Sequence, residues 1–153
     1  MCFDPQCEVQ RAGLELVPPP PLQQPLHFAF SLPEIAAAMP RPCVLLVDDD
    51  LPFRRALAIG LRLEGVEVLE ASSGAEALTL LTGRRVSLAI VNQHLDADRG
   101  ECLLSEISRL SPPTQLVAVS CQPNLASPAV AHGRAAQLVK PVAPDQVLHL
   151  LAG

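Results

Sequence analysis

Four short apolar runs, each stopped by a polar residue, constrain this chain more than anything else in it. Cys43-Val44-Leu45-Leu46-Val47 ends on Asp48-Asp49-Asp50, and Leu88-Ala89-Ile90-Val91 ends on Asn92. Leu116-Val117-Ala118-Val119 ends on Ser120, and Gln137-Leu138-Val139 ends on Lys140-Pro141. Continuous apolar runs of this length, without polar alternation, read as strands buried on both faces. Between them lie amphipathic stretches, the first opened by Pro52 and running from Phe53 to Leu63. Regular alternation of this kind implies a parallel sheet with helices on both faces, an α/β doubly wound architecture.

The coarse reading places β1 at 43–47, α1 at 52–64, β2 at 66–70, α2 at 73–82 and β3 at 87–91. It continues with α3 at 100–110, β4 at 115–119, a short α4 at 126–132, β5 at 137–139 and α5 at 144–151. Gly65 fits a helix stop, because glycine enters the left-handed region without steric cost, and Ser72-Ser73 fit a helix start by capping free N–H groups. Pro123 and Pro128 keep the fourth helix brief. Within α1, Phe53, Ala56, Leu57, Gly60 and Leu61 form the core-facing stripe. Ile59 and Leu63 fall off it, which suits either a contact surface or packing against α5, where Val147, Leu148, Leu150 and Leu151 are apolar over a wide arc.

In open parallel sheets ligands sit outside the carboxyl ends of the strands, so the polar tips should converge on one crevice. Its inventory is an acidic pair, an amide, a hydroxyl and an ammonium. On these residues the chain from about Cys43 onward resembles a response-regulator receiver domain of bacterial two-component signalling, which implies a flavodoxin-like five-stranded sheet. The resemblance implies a β1 acidic pair that binds Mg²⁺, a β3 aspartate that accepts a phosphoryl group, a β4 Ser/Thr that senses it, and a β5 lysine followed by a cis proline. Asp48 and Asp49 stand at the acidic pair, Ser120 at the hydroxyl, and Lys140-Pro141 at the Lys-Pro. Asn92 stands at the phosphoacceptor.

That substitution matters because the family's chemistry is attack by a carboxylate oxygen on phosphorus, and a neutral amide has no anionic oxygen. Mg²⁺ favours carboxylate oxygens, so replacing one of three acids by an amide leaves Asp48 and Asp49 as a weak or vestigial metal site. No cofactor is expected to be required. Other departures agree: Asp96 replaces the family's proline, Arg99 its aspartate, and Gln137 an aromatic switch residue. Gly100, before the third helix, is kept.

Composition bounds the partners. The chain has 153 residues, a net charge of −5 and 49% hydrophobic residues, with no apolar run long enough to span a bilayer. An acid excess argues against nucleic acid, since phosphate contacts need a basic face, and Arg54-Arg55 and Arg84-Arg85 are only pairs. Cys2, Cys7, Cys43, Cys102 and Cys121 have no tight metal spacing, and reduced thiols in a cytoplasmic protein are the expectation. Cys121, beside Ser120, sits where an oxidant sensor would, but an inert thiol is the default. His94 and His149 have no evident ligand partners.

Residues 1–41 differ in kind. Pro18 to Pro21 and Pro25 favour extended polyproline II, so this segment reads as a disorder-prone extension to a body at 42–153. Within it Ser31 and Glu34 fit a capping box before Ile35-Ala36-Ala37-Ala38-Met39, and Phe28 and Phe30 suit an apolar clip on the body or a partner. Equally, Met39 suits a start residue, which would make the extension an artefact.

The reading is a stand-alone pseudo-receiver, not an enzyme, in which Lys140 neutralises Asp48 and Asp49 while Asn92 hydrogen-bonds Ser120 or Lys140. Its expected partner is a protein, whether histidine kinase, another response regulator or an effector, with the chain itself a monomer or weak dimer, and no nucleic acid or membrane. Two alternatives stand beside it. One is a Mg²⁺-dependent phosphatase of haloacid-dehalogenase type, with Asp48 as nucleophile and Asp50 as acid/base, although only Asp145 follows Lys140 as a further acid. The other is a true phosphoreceiver using Asp96, Asp98 or Asp49.

Overall fold

The structure, a computed structural model, describes residues 40–95, 100–123 and 128–153. The expectations for residues 1–39 and for Asp96, Asp98 and Arg99 lie outside those described residues. The body comprises β1 (Cys43–Val47), α1 (Leu51–Leu63), β2 (Glu67–Ala71), α2 (Gly74–Leu81), β3 (Leu88–Asn92), α3 (Gly100–Leu110), β4 (Gln115–Ser120), α4 (Pro128–Ala131), β5 (Ala136–Val139) and α5 (Pro144–Ala152). All ten expected elements are present. Bounds shift by one or two residues, and the shift that matters puts Asn92 and Ser120 inside their strands rather than just beyond them.

The five strands pair in parallel in the order β2-β1-β3-β4-β5, which is the flavodoxin-like order. Side chains alternate across the sheet, so each strand feeds two apolar layers. Leu45, Val47, Ala89, Val91 and Ala118 pack with Ala77 and Leu81 of α2 and Leu103, Leu104 and Ile107 of α3. Leu46, Ile90, Val117 and Val119 pack with Leu57, Ala58 and Leu61 of α1 and Val147 of α5. Double coverage explains why the central runs are continuously apolar.

Local chemistry sets the helix ends. Asp50 caps α1 by accepting from the Phe53 N–H at 3.2 Å, and Pro52 in the first turn has no N–H left unsatisfied. Gly65, at φ 82°, ends α1. Ser73 caps α2 through Glu76 N, while Glu76 reaches back to both the N–H and hydroxyl of Ser72. Those two bonds, the backbone one foremost, hold the Glu76 carboxyl below its usual pKa.

The α1 core stripe differs from the sequence reading at one place: Ala58 is buried and Ala56 is exposed. Gly60 fits the expected stripe because its bare Cα lies against Pro144 of α5, where an added Cβ would fall 2.5 Å from the ring Cγ. Ile59 and Leu63 do not pack on α5; they are 55% and 82% exposed. Pro52, Ala56, Ile59 and Leu63 therefore form an exposed stripe at spacings of four, three and four residues, with Arg55 beside it. Among the described residues no helix is long and apolar enough to cross a membrane.

Gly100 positions the site most directly. A Cβ there would lie 2.1 Å from the carbonyl oxygen of Asn92 and 3.0 Å from the Gln93 Cα, both backbone atoms that no rotamer change moves aside. Gly100→Ala is therefore expected to destabilise the fold by roughly 2–4 kcal/mol, against the gain alanine normally gives a helix. Urea denaturation checks this, and a variant as stable as the parent would refute the close approach.

Candidate functional site

The carboxyl ends of β1, β3, β4 and β5 bring Asp48, Asp49, Asn92, Ser120 and Lys140 together, as the strand order requires. Asp48 follows β1 and is 1% exposed. Its backbone N–H donates to Ala71 O at 3.1 Å, which extends the β1–β2 ladder by one residue and fixes where the carboxylate starts. Its Oδ1 accepts from Asp50 N at 2.9 Å, and its Oδ2 lies 2.7 Å from Lys140 Nζ. The Asp48 carbonyl accepts from Arg54 Nη1. Asp50 is thus a backbone device: its side chain caps a helix and its N–H holds Asp48.

Lys140 is placed by the sheet and gripped from two sides. Its N–H donates to Ser120 O at 2.9 Å, carrying the β4–β5 pairing past the end of β5. The Lys140–Pro141 peptide bond is cis. The ammonium contacts Asp48 on one side and lies 4.3 Å from the centroid of the Phe53 ring on another, a cation–π geometry. Phe53 was read from sequence only as core stripe. Its second role depends on Lys140, 87 positions later in the chain by the difference of the two residue numbers, and no local signal could reveal it.

Asn92 is 7% exposed, and its amide is fully directed. Nδ2 donates to Asp49 Oδ1 at 2.9 Å and Asp48 Oδ1 at 3.4 Å, with His94 O also at 3.4 Å. Oδ1 accepts from the His94 N–H at 3.3 Å. The reverse amide orientation would set its oxygen against two carboxylates, so the network selects this one. The expected bonds from Asn92 to Ser120 or Lys140 are not the ones formed: its N–H₂ group donates to the two acids, which are the stronger acceptors. Likewise Lys140 pairs with Asp48, while Asp49 takes the amide. Ser120 is buried, and its hydroxyl oxygen accepts from Gln122 N at 3.0 Å.

The donor set bears on Mg²⁺. One oxygen each of Asp48 and Asp49 accepts from the Asn92 N–H₂ group, and the second oxygen of Asp48 is held by Lys140. No group of three or more His, Cys, Asp or Glu residues is arranged to hold a metal among the described residues. With an amide in place of a third carboxylate, Asp48 and Asp49 offer a Mg²⁺ ion fewer hard anionic oxygens than three acids would, so this pair would hold the ion only weakly.

Neighbouring groups fall outside the site. His94 enters through its backbone, and His149 lies on α5. Cys121 is exposed at the rim and Cys102 is exposed on α3. Cys43 is buried at the opposite end of β1, where desolvation, then the nearby Glu67 charge, raises its pKa and keeps it a thiol. Behind the crevice Arg54 and Arg62 converge on Glu70, at 3.5 and 2.9 Å, binding α1 to the edge strand.

The sequence profile of the response regulator receiver domain matches residues 44–152, most of the chain and every element described above. The chain belongs to the response regulator receiver family. It is 34% identical over 104 residues to the transcriptional regulatory protein GlrR of Escherichia coli, covering 67% of this chain and 23% of that one. With the alginate biosynthesis transcriptional regulatory protein AlgB of Pseudomonas putida it shares 34% identity over 106 residues, 68% of this chain and 24% of that. The chain thus spans about a quarter of the length of the curated relatives it matches.

Among solved structures, the signal receiver domain of an HD domain-containing protein from Pseudomonas fluorescens matches with TM-score 0.67 and 29% identity, over 74% of this chain and 86% of that. A Burkholderia pseudomallei response regulator, solved with a phosphorylated aspartic acid, a calcium ion and citrate, matches with TM-score 0.66 and 28% identity. It covers 72% of this chain and 66% of that. Receiver domains are signalling domains of two-component systems and interact with histidine kinases and effectors. The family match sets the haloacid-dehalogenase alternative aside, and Asp50, its acid/base, serves here as a helix cap.

Two stability predictions follow from the receiver's buried polar groups. Lys140→Met strands a buried carboxylate and is expected to cost about 3–5 kcal/mol, most of it recovered when Asp48→Asn is added. A double-mutant cycle in urea measures this, and additive losses would refute the pair. Gln93, beside Asn92, is 7% exposed, and neither side-chain amide atom has a hydrogen-bond partner among the described residues. Gln93→Met is expected to stabilise the receiver by about 1–3 kcal/mol, read from the thermal midpoint; a loss would show that the amide is satisfied in solution.

Proposed function

We propose that this chain is a pseudo-receiver: a signalling module that, as encoded, does not accept phosphate at its β3 position and acts through protein contacts in a two-component or phosphorelay setting. One observation carries the reading. The group at the end of β3 is an amide whose N–H₂ donates to the acidic pair, so the crevice holds its own internal donor where the family's chemistry needs a nucleophilic oxygen.

The retained residues make sense as structure. Asp48 is buried and would carry an uncompensated charge without Lys140, and Ser120 pairs with Val139 while its carbonyl accepts from the Lys140 N–H. Contact is served by α1, where Pro52, Ala56, Ile59 and Leu63 form an exposed apolar stripe next to Arg55. A helical partner with apolar residues at matching intervals and an acidic flank suits that surface. Neither Mg²⁺ nor another cofactor is needed for such contact, and residues 1–41 are a separate appendage to the receiver in this reading.

Incubation with acetyl phosphate and Mg²⁺, followed by intact mass measurement, tests it. No stoichiometric adduct is expected on the freshly purified chain, and an adduct is expected after Asn92→Asp. A stoichiometric adduct on the chain with its amide intact would overturn the proposal, and peptide mapping would then identify which acid serves instead.

A further inference from the structure

We infer that the pocket hydrolyses its own Asn92 side-chain amide, slowly and once per molecule, leaving a carboxylate at the end of β3. This rests on the pseudo-receiver reading in one respect: the amide is what withholds phosphate acceptance, so its loss would be a switch.

Two of the groups that amide hydrolysis asks for lie beside Asn92, a donor at its oxygen and a base at its nitrogen. The reaction needs a polarised carbonyl, a base beside the attacking water, and a proton delivered to the departing nitrogen. The His94 N–H donates to Oδ1 at 3.3 Å, aimed at the oxygen on which negative charge grows. The Asp49 carboxylate lies 2.9 Å from Nδ2 and is solvent-exposed, so its second oxygen is the group that would hold the attacking water. Asp48 Oδ1, 3.4 Å from the same nitrogen, fixes the amide plane.

The step balances without any further reactant. Water oxygen attacks Cγ as Asp49 takes its proton, and that proton passes to Nδ2. The C–N bond then breaks, and the ammonia released takes the remaining acid proton to leave as ammonium. One amide and one water give one carboxylate and one ammonium ion. Holding the carbonyl, base and nitrogen in fixed geometry supplies the advantage over free solution.

The common competing route is closed by the fold. Asparagine usually loses its amide when the following backbone nitrogen attacks Cγ to form a cyclic imide, which opens to a mixture rich in isoaspartate. Here that nitrogen belongs to Gln93, and its N–H is held in the ladder by Val119 O at 2.9 Å. Asn92 also sits within β3, where the chain is extended and paired with Val119. Direct hydrolysis therefore yields the normal aspartyl linkage.

The test uses the full chain, incubated at neutral pH and physiological temperature and sampled over days. Peptide mass spectrometry reads the gain from replacing NH₂ by OH, and chromatography separates aspartyl from isoaspartyl products. Asn92 is expected to convert to the aspartyl form roughly a hundredfold faster in the native chain than in urea, with Asp49→Ala removing most of that advantage. Asn124, the chain's other asparagine, serves as the internal reference and should show no such acceleration. Circular dichroism confirms that Asp49→Ala, altered at an exposed position, remains folded.

Equal rates in native and unfolded chain, a mainly isoaspartyl product, or an unchanged rate in folded Asp49→Ala would each overturn the inference. Acetyl phosphate added to unconverted and converted samples separates this inference from the earlier reading. Phosphate on the unconverted amide form defeats the pseudo-receiver proposal whatever the rate of conversion. Failure to convert defeats only the hydrolysis.

Discussion

The ion pair between Lys140 Nζ and Asp48 Oδ2, 2.7 Å long and with its carboxylate buried, is the constraint the rest of the crevice obeys. A carboxylate as buried as Asp48 cannot stand alone, because the cost of leaving it uncompensated is several kcal/mol. The sheet delivers the compensation. β1 ends at the carboxylate, β5 ends at the ammonium, and the Lys140 N–H to Ser120 O bond fixes how far along β4 the lysine emerges. Phe53 then closes the remaining side of the ammonium, so α1 joins the same network from outside the sheet.

Asn92 completes this lattice by supplying donors rather than charge. With an aspartate at the end of β3 the crevice would hold three carboxylates and one ammonium, an excess of two negative charges that invites a cation. With the amide it holds two carboxylates and one ammonium, and the N–H₂ group meets one oxygen of each acid. The substitution thus changes the nucleophile, the charge balance and the metal preference together, since one atom pair governs all three. Receiver output is a two-state equilibrium biased by a covalent charge, and the amide lowers the crevice's acid excess from two charges to one; on the pseudo-receiver proposal the bias comes from another source.

Most of this was legible in the sequence where the signal was local or periodic. The four apolar runs gave the buried strands, and their polar stops gave the residues that meet, because strand ends in a parallel sheet converge whatever their separation in the chain. Gly65 and Ser73 were legible as helix ends because φ preference and side-chain capping act over one turn. What escaped was pairwise. The partner of Asn92 was expected to be Ser120 or Lys140, and it is Asp49 and Asp48, a choice made by ångström-scale distances among groups that share one crevice. The Phe53 ring over Lys140, Ala58 rather than Ala56 in the core, and the unpartnered Gln93 amide are likewise outcomes of packing.

Helix α1 faces two ways, and this bears on how the crevice communicates. Its first turn reaches the pocket through Phe53, which contacts Lys140, and Arg54, which donates to the Asp48 carbonyl. Its outer surface carries the exposed stripe ending at Ile59 and Leu63. The helix is also clamped to the edge strand through Glu70 and pressed against α5 at Gly60, so its two faces cannot move independently. A partner that grips the stripe with different strength in two pocket states must therefore shift the pocket by the same free energy with which the pocket shifts the partner, because linkage is reciprocal. The physical path is α1 itself, about two to three turns from Phe53 to Ile59 and Leu63, and it runs through the same lysine and aspartate on which the crevice depends.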